Sequence, residues 1–377
     1  MPIRPFAWCV ERLESRRLLA VAGIRDLLYV RVRFSDQTAA PETAAQSQQV
    51  TGTATSSIRD WSGGKVMFTV TVKDVLLPHS SSYYVSKGTS AIATDATAAL
   101  QRAGVATSSF EHRSFRFNAA IGSWAGLGQV GGPVTWIKYT SASVLAHELG
   151  HNLGLGHSSF VNPSNNANPF GSGATSEYGD PFSNMGSGGT RDWNATQKWA
   201  LGFIGGSQVR TVSATTAAAT TVTLAAHDDL TAYRSTDVYL ARVPIGTQAV
   251  YAEYRKNAGG VVIHVDSASS PKSGVLVDGN PATSTASDAA LKAGQSLLHP
   301  RGAGTADDIR IAVTSIAGGR AVVTITVGAG ATKAAPAAVA PQTFAALAAA
   351  LGPAIAAAPS PRPPRAVGPL GCPSRAV

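Results

Sequence analysis

Residues 146–158 read AHELGHNLGLGHS and place three of the chain's eight histidines, with one glutamate, inside a short span. His147 and His151 are four apart. In an α-helix that spacing puts both side chains on one face, with Cβ atoms about 6 Å apart, so both can reach one ion. Glu148 leaves from a neighbouring face, close enough to touch a water beside that ion. Gly154 stands where the chain must stop being helical, because glycine enters the left-handed region without strain. The turn through Leu155 and Gly156 then brings His157 back as a third imidazole. Three imidazoles with one position open are the donor set of a catalytic zinc site; a structural site is closed by a fourth protein ligand. His79, His112, His227, His264 and His299 each stand alone in the sequence and are expected to be ordinary core or surface residues.

Such a cluster needs a helix, and the helix needs a scaffold. Ser141 is the expected cap of a helix through SVLAHELGHNLG. Upstream, LLYVRVRFSD (27–36) alternates and is β-branched, which predicts a half-buried strand. Residues 42–61 predict a helix, SGGKVMFTVTVKDVLLP (62–78) a strand, 91–103 a helix ending at Gly104, and HRSFRFNAAI (112–121) another strand. GSWAGLGQVGGPVTWIKY (122–139) is glycine-rich between apolar residues, as where backbones approach closely. This order predicts an α/β arrangement.

After the cluster, residues 158–190 are rich in Gly, Asn, Ser and Pro and predict a long irregular loop. WNATQKWALGFI (193–204) predicts a short helix with Asn194 or Thr196 near its start and Gly202 near its end. From 208 to 328 short β runs recur between turn residues, the pattern of a β-sandwich. From 329 onward the composition is low-complexity Ala/Pro, unable to bury a core, with room for one short helix at 342–351. The expected organisation is therefore a leader at 1–23 without fixed structure, a catalytic domain at 24–206, a β-sandwich-like domain at 207–328, and a disordered tail at 329–377.

Composition narrows the classes. The formal net charge is +9, but residues 1–33 carry seven basic and three acidic residues, and 331–377 carry four basic and none acidic. The middle of the chain holds 20 basic and 19 acidic residues, so it lacks the basic stripe a nucleic-acid groove needs. Cys9 and Cys372 lie in the terminal segments, too far apart to form a zinc-ligand pattern. No apolar run long enough for a transmembrane helix occurs outside the alanine-rich tail. Near the N-terminus, ERLESRRLLA (11–20) resembles the LE-x-R-x-L-L signature of some exported bacterial surface proteins, matching at Leu13, Glu14, Arg16, Leu18 and Leu19. That resemblance implies export, and an extracellular or cell-surface location.

HELGHNLGLGH resembles the extended zinc motif H-E-x-x-H-x-x-G-x-x-H of the metzincin metalloproteases. Those proteins carry a methionine turn beneath the metal, and EYGDPFSNMGSG (177–188) offers Met185, 28 residues after His157. The pairing of the two segments is similar to the gametolysin family of secreted metalloproteases. GSWAGLGQVGGP before the helix and EYR (253–255) after it are similar to that family too. The resemblance spans about residues 25–328 and is strongest over 122–204.

It implies a metzincin-like α+β catalytic domain, a mixed twisted sheet with an active-site helix, followed by the all-β region. His147, His151 and His157 would then bind Zn²⁺, and Glu148 would be the general base toward a water acidified by the metal from a pKa of about 16 towards about 7. Met185 would underlie the ligands without being one. Some metzincins have a tyrosine two residues after that methionine. Here the position is Ser187, so no such role is assigned. Tyr178 and Asp180 are expected to shape the loop, and the Asp228–Asp229 and Asp307–Asp308 pairs to be exposed turns. The implied activity is a zinc endopeptidase acting as a monomer on protein or peptide substrates of the cell exterior or wall. The rival is a surface adhesion protein that keeps the zinc site without turnover; the presence of Glu148 argues against it.

Overall fold

The computed structural model of the protein describes residues 21–214, 219–229, 233–300 and 308–328. The leader signature, both cysteines, Asp307 and the Ala/Pro tail lie outside these residues.

The first sheet explains where the histidine helix rests. It is ordered β2-β1-β3-β5-β4, from β1 (Gly23–Arg33), β2 (Val66–Leu76), β3 (His112–Arg116), β4 (Gly126–Gly128) and β5 (Val134–Ile137). The pairs β1/β2, β1/β3 and β3/β5 are parallel, and β4 alone runs antiparallel, along the edge beside β5. Helices connect the parallel strands: α1 (Ala44–Trp61) between β1 and β2, then α2 (Ser81–Lys87) and α3 (Thr89–Arg102) before β3. Thr43 and Gln46 form a reciprocal capping box at the start of α1. Its buried residues Val50, Ala54, Ile58 and Trp61 recur every three or four positions and face the sheet.

The expected half-buried strand at 27–36 is corrected here. In β1, Leu27 and Tyr29 pack on the side of α1 while Leu28, Val30 and Val32 pack on the side of α2 and α3. Helices cover both faces, so the run Leu27–Val30 is wholly buried and alternation no longer separates core from solvent. The segment SSYYVS, which carries no clear sequence signal, forms α2, capped by Ser80.

Helix α4 (Ala142–Asn152) carries His147 and His151 and lies on the α1 side, with Leu145, Ala146 and Leu149 in the shared core. Beyond it the expected irregular loop at 158–190 contains a hairpin, β6 (Ser159–Pro163) and β7 (Gly173–Ser176). Helix α5 (Ala195–Ala200) follows, capped by Asn194, with Gly202 in the left-handed region just after it.

The remaining strands are β8 (Val209–Thr211), β9 (Ala219–Ala225), β10 (Leu240–Ile245), β11 (Gln248–Arg255), β12 (Gly260–Ser267), β13 (Val275–Val277), β14 (Ser296–His299), β15 (Ile309–Ala317) and β16 (Arg320–Val327). They make a seven-stranded sheet, β7-β6-β13-β12-β11-β10-β8, and a four-stranded sheet, β14-β15-β16-β9. One apolar core, including Val243, Val250, Ile263, Ile311, Val323 and Ile325, joins the two sheets face to face. The other face of the seven-stranded sheet is covered too, by Ala195 and Ile204 against Leu240 and Tyr251, and by Phe182 against Val262 and Leu276. Because β6 pairs in parallel with β13, this sheet draws strands from both sides of residue 206. The mixed α/β part and the β-rich part thus share a sheet at the segment that follows His157. No helix among the described residues is long and apolar enough to cross a membrane.

Candidate metal centre

Helix α4 starts where the sequence places it. The Ser141 side chain, on extended backbone, accepts from the Val144 N–H. The helix ends in a turn through Gly154 at φ +101°, where the Leu155 N–H reaches back to the Gly150 carbonyl at 3.0 Å. This turn swings the Leu155 carbonyl toward the helix, where it accepts from His151 Nδ1 at 2.8 Å.

All three histidines are held in the same manner. His147 Nδ1 lies 2.7 Å from the Asn184 carbonyl, and His157 Nδ1 lies 2.7 Å from Glu177 Oε1. Carbonyls and carboxylates only accept, so each Nδ1 carries a proton and each Nε2 keeps its lone pair. Burial holds all three rings in the neutral form, and for His147 and His157 the neighbouring histidines add to it. His147 and His151 fall below the ordinary histidine range and His157 falls to about 3. One donor atom from each ring lies within 4.8 Å of the others. Nitrogens at about 2.0–2.1 Å from a tetrahedral zinc stand about 3.4 Å apart. His151 Nε2 and His157 Nε2 already lie 3.0 Å apart, so side-chain adjustment closes this set on an ion. Neutral imidazoles oriented by a carboxylate and two carbonyls are the donor chemistry a zinc-type dication takes.

Glu148 is buried beside the triad, and burial pushes its carboxyl up to about 8, opposed by a hydrogen bond from the Gly128 backbone. The edge strand β4 passes directly over it. A Cβ on Gly126 would meet Glu148 Oε1 at 2.5 Å, and one on Gly128 would meet the Glu148 carbonyl at 2.7 Å. Only glycine allows that approach, which is the close backbone contact the GLG segment predicts.

Met185 lies beneath the helix and is fully buried. A Cβ on Gly150 would meet its Sδ at 2.6 Å, so glycine in the middle of HELGH makes room for the sulfur. The same turn supplies the Asn184 carbonyl to His147 and the Met185 carbonyl to the Ser158 N–H. Tyr178 leans on the site, its ring 4.0 Å from that of His157 and 6.0 Å from that of His147. The structure therefore brings together the four residues singled out by type and spacing, His147, His151, His157 and Glu148, and also Met185, which the family resemblance singled out.

Two contributors are missed by spacing alone. Glu177 orients His157, and its only signal is an acid at the head of EYGD. The Asn184 carbonyl has none, since any residue supplies a backbone oxygen. His227 and His264 are core histidines, as expected, fully buried beside Glu253 and bonded to carboxylates. One expectation is corrected. The Asp228–Asp229 pair is no exposed turn, because Asp228 accepts from the Lys256 and Asn257 N–H groups beside Arg255. Asp308 is also buried.

Residues 39–185 match the model of the family Peptidase M66. The Peptidase M66 match covers fewer than half of the residues and contains the three histidines, Glu148 and Met185. It supports a metallopeptidase function, and the histidine triad within it supports a bound metal ion. No curated protein matches the chain. One solved structure, described as "Structure of a chaperone-substrate complex", shares 16% identity with a TM-score of 0.27, over 36% of this chain. The chain spans only 27% of that structure's length, and at this TM-score the likeness carries no argument.

Proposed function

We propose that the protein is a zinc-dependent endopeptidase of metzincin type, similar to the gametolysin family, that cleaves proteins of the cell exterior or wall. The observation that carries this reading is the triad of neutral imidazoles with Glu148 buried beside it. A zinc ion held by His147, His151 and His157 would polarise the scissile carbonyl and acidify a water molecule. Glu148 would take the proton from that water and pass it to the leaving amine. The proton affinity that burial gives Glu148 suits a base that must hold a proton between two steps. A nearby dication lowers that affinity, so the carboxylate starts ionised.

The chain's own residues do the remaining work. Glu177, Leu155 and Asn184 fix the three rings, and the glycines of β4 leave the strand edge close to the base, where an extended peptide can lie. Tyr178 walls one side. A binding protein without turnover is disfavoured by Glu148, which is present, buried and held by Gly128. The test is cleavage of casein or gelatin by the zinc-loaded protein. Cleavage that stops with a chelator and returns with zinc supports the proposal. Stoichiometric zinc without chelator-sensitive cleavage of any broad protein substrate would favour the adhesion reading instead.

A further inference from the structure

His147 and His151 are placed by helix pitch, but His157 sits on non-helical chain that pitch cannot fix. Its neighbours are pinned by the seven-stranded sheet. The Gly156 N–H donates to the Lys272 carbonyl at 3.0 Å and the Ser159 N–H to the Gly274 carbonyl at 3.1 Å. The loop bearing those carbonyls is itself gathered by Asp266, which accepts from the Ser273 and Gly274 N–H groups.

Behind this segment lies a charged cluster that the chemistry above does not use. His264 of β12 is fully buried, with Nε2 3.0 Å from Asp180 Oδ2 and Nδ1 3.4 Å from Glu253 Oε1. Nε2 bonds Asp180, while Nδ1 makes no hydrogen bond and faces Glu253 at ion-pair distance, so a charged ring suits both carboxylates. Burial opposes that charge and Arg255 repels it, but Asp180 and Glu253 prevail and hold His264 above its ordinary range.

Asp180 is shared with the metal side. The Ser158 hydroxyl donates to its Oδ2 at 2.6 Å, and the Phe182 N–H to its Oδ1 at 2.8 Å. Its carbonyl accepts from the Ser187 N–H at 2.8 Å. One residue therefore ties the neighbour of His157 to the turn that carries Met185. Glu253 anchors the other end, accepting from the Ala195 N–H at 2.6 Å at the start of α5 and from His227.

We propose that His264 is a positioning residue of the metal centre: by bridging Asp180 and Glu253 it places His157 from the β-rich sheet and raises affinity for the metal. This rests on the metal reading above. The β-rich region is then part of the site's framework and not an appended module. The outer partners of metal ligands commonly set affinity by about 10–100-fold.

The test measures zinc affinity by chelator competition and the visible spectrum of the cobalt-loaded full chain. His264→Asn keeps a polar group that can bond Asp180 but carries no charge to pair with Glu253. It is expected to weaken zinc binding at least about tenfold and to shift the cobalt bands. His299→Asn, a buried site in the four-stranded sheet, is the control. It should alter thermal stability but neither affinity nor spectrum. Ser158→Ala removes only the hydroxyl linking Asp180 to the His157 segment and should weaken binding several-fold; it decides the matter if His264→Asn does not fold. Wild-type affinity and an unshifted spectrum in the folded variant would overturn the inference. Wild-type protein that binds no stoichiometric zinc would overturn the metal reading, and the inference with it.

Discussion

His151 Nε2 and His157 Nε2 stand 3.0 Å apart, while the protons of both rings are held on the opposite nitrogens by Leu155 and Glu177. Two lone pairs facing each other at that distance repel, and a cation between them turns the repulsion into ligation. The pair is built to be completed by a metal.

The first consequence concerns pH. Protons compete with the metal for Nε2, and three ordinary imidazoles would lose zinc affinity by roughly several hundredfold between pH 7 and 5.5. Here burial holds all three below the ordinary range, His157 at about 3, so proton competition is weak. Zinc affinity should fall less than about tenfold over that interval. Competition titrations at the two pH values check this; a several-hundredfold loss would contradict it.

Glu177 is the second point. Replacing it by Gln keeps the shape but removes the charge that holds the proton on His157 Nδ1. Zinc affinity should drop about tenfold while Glu148 is untouched. Equal zinc affinities of Glu177→Gln and the wild type would show that the carboxylate only covers the ring.

A methyl group at residue 126 probes the base without touching a ligand. In Gly126→Ala the new Cβ would meet Glu148 Oε1 at 2.5 Å and Cγ at 2.7 Å, so the carboxylate must move aside. Zinc stoichiometry should stay at one per chain while kcat falls at least about tenfold, given the usual worth of a general base. A simultaneous loss of zinc would place the damage at the ligands instead.

What was readable in the sequence follows from the range of each signal. The helix of His147 and His151 is local: pitch, the Ser141 cap and the Gly154 turn all lie within fifteen residues and all recur in the structure. The close backbone approach within 122–139 was readable from its glycines, although the antiparallel edge position of β4 comes from its pairing with β5. The hairpin β6–β7 was not, since its alignment comes from β13, over a hundred residues later. The burial of His227 and His264 was equally hidden, because their partners Glu253, Asp180 and Asp192 come from three other segments. A lone histidine in a β run looks the same whether it is incidental or charged.

Acid stability reports on that cluster. Burial alone would raise the Glu253 carboxyl, but His227 and Arg255 hold it down to about 2, below its ordinary value near 4.5. A depressed carboxylate stabilises the fold above its unfolded pKa and loses that contribution as pH falls from about 4.5 towards about 2. Glu253→Gln should therefore melt earlier at pH 7 and show a shallower decline of melting temperature below pH 4.5. Parallel curves for variant and wild type would remove Glu253 from the account.

The most direct measurement pairs zinc content with turnover in Glu148→Gln. The variant keeps all three imidazoles and their orienting partners, and loses only the group that moves the proton. It should bind one zinc per chain and cleave casein at least about a thousandfold more slowly than the wild type. A variant that retains both zinc and wild-type cleavage would contradict the account at its centre.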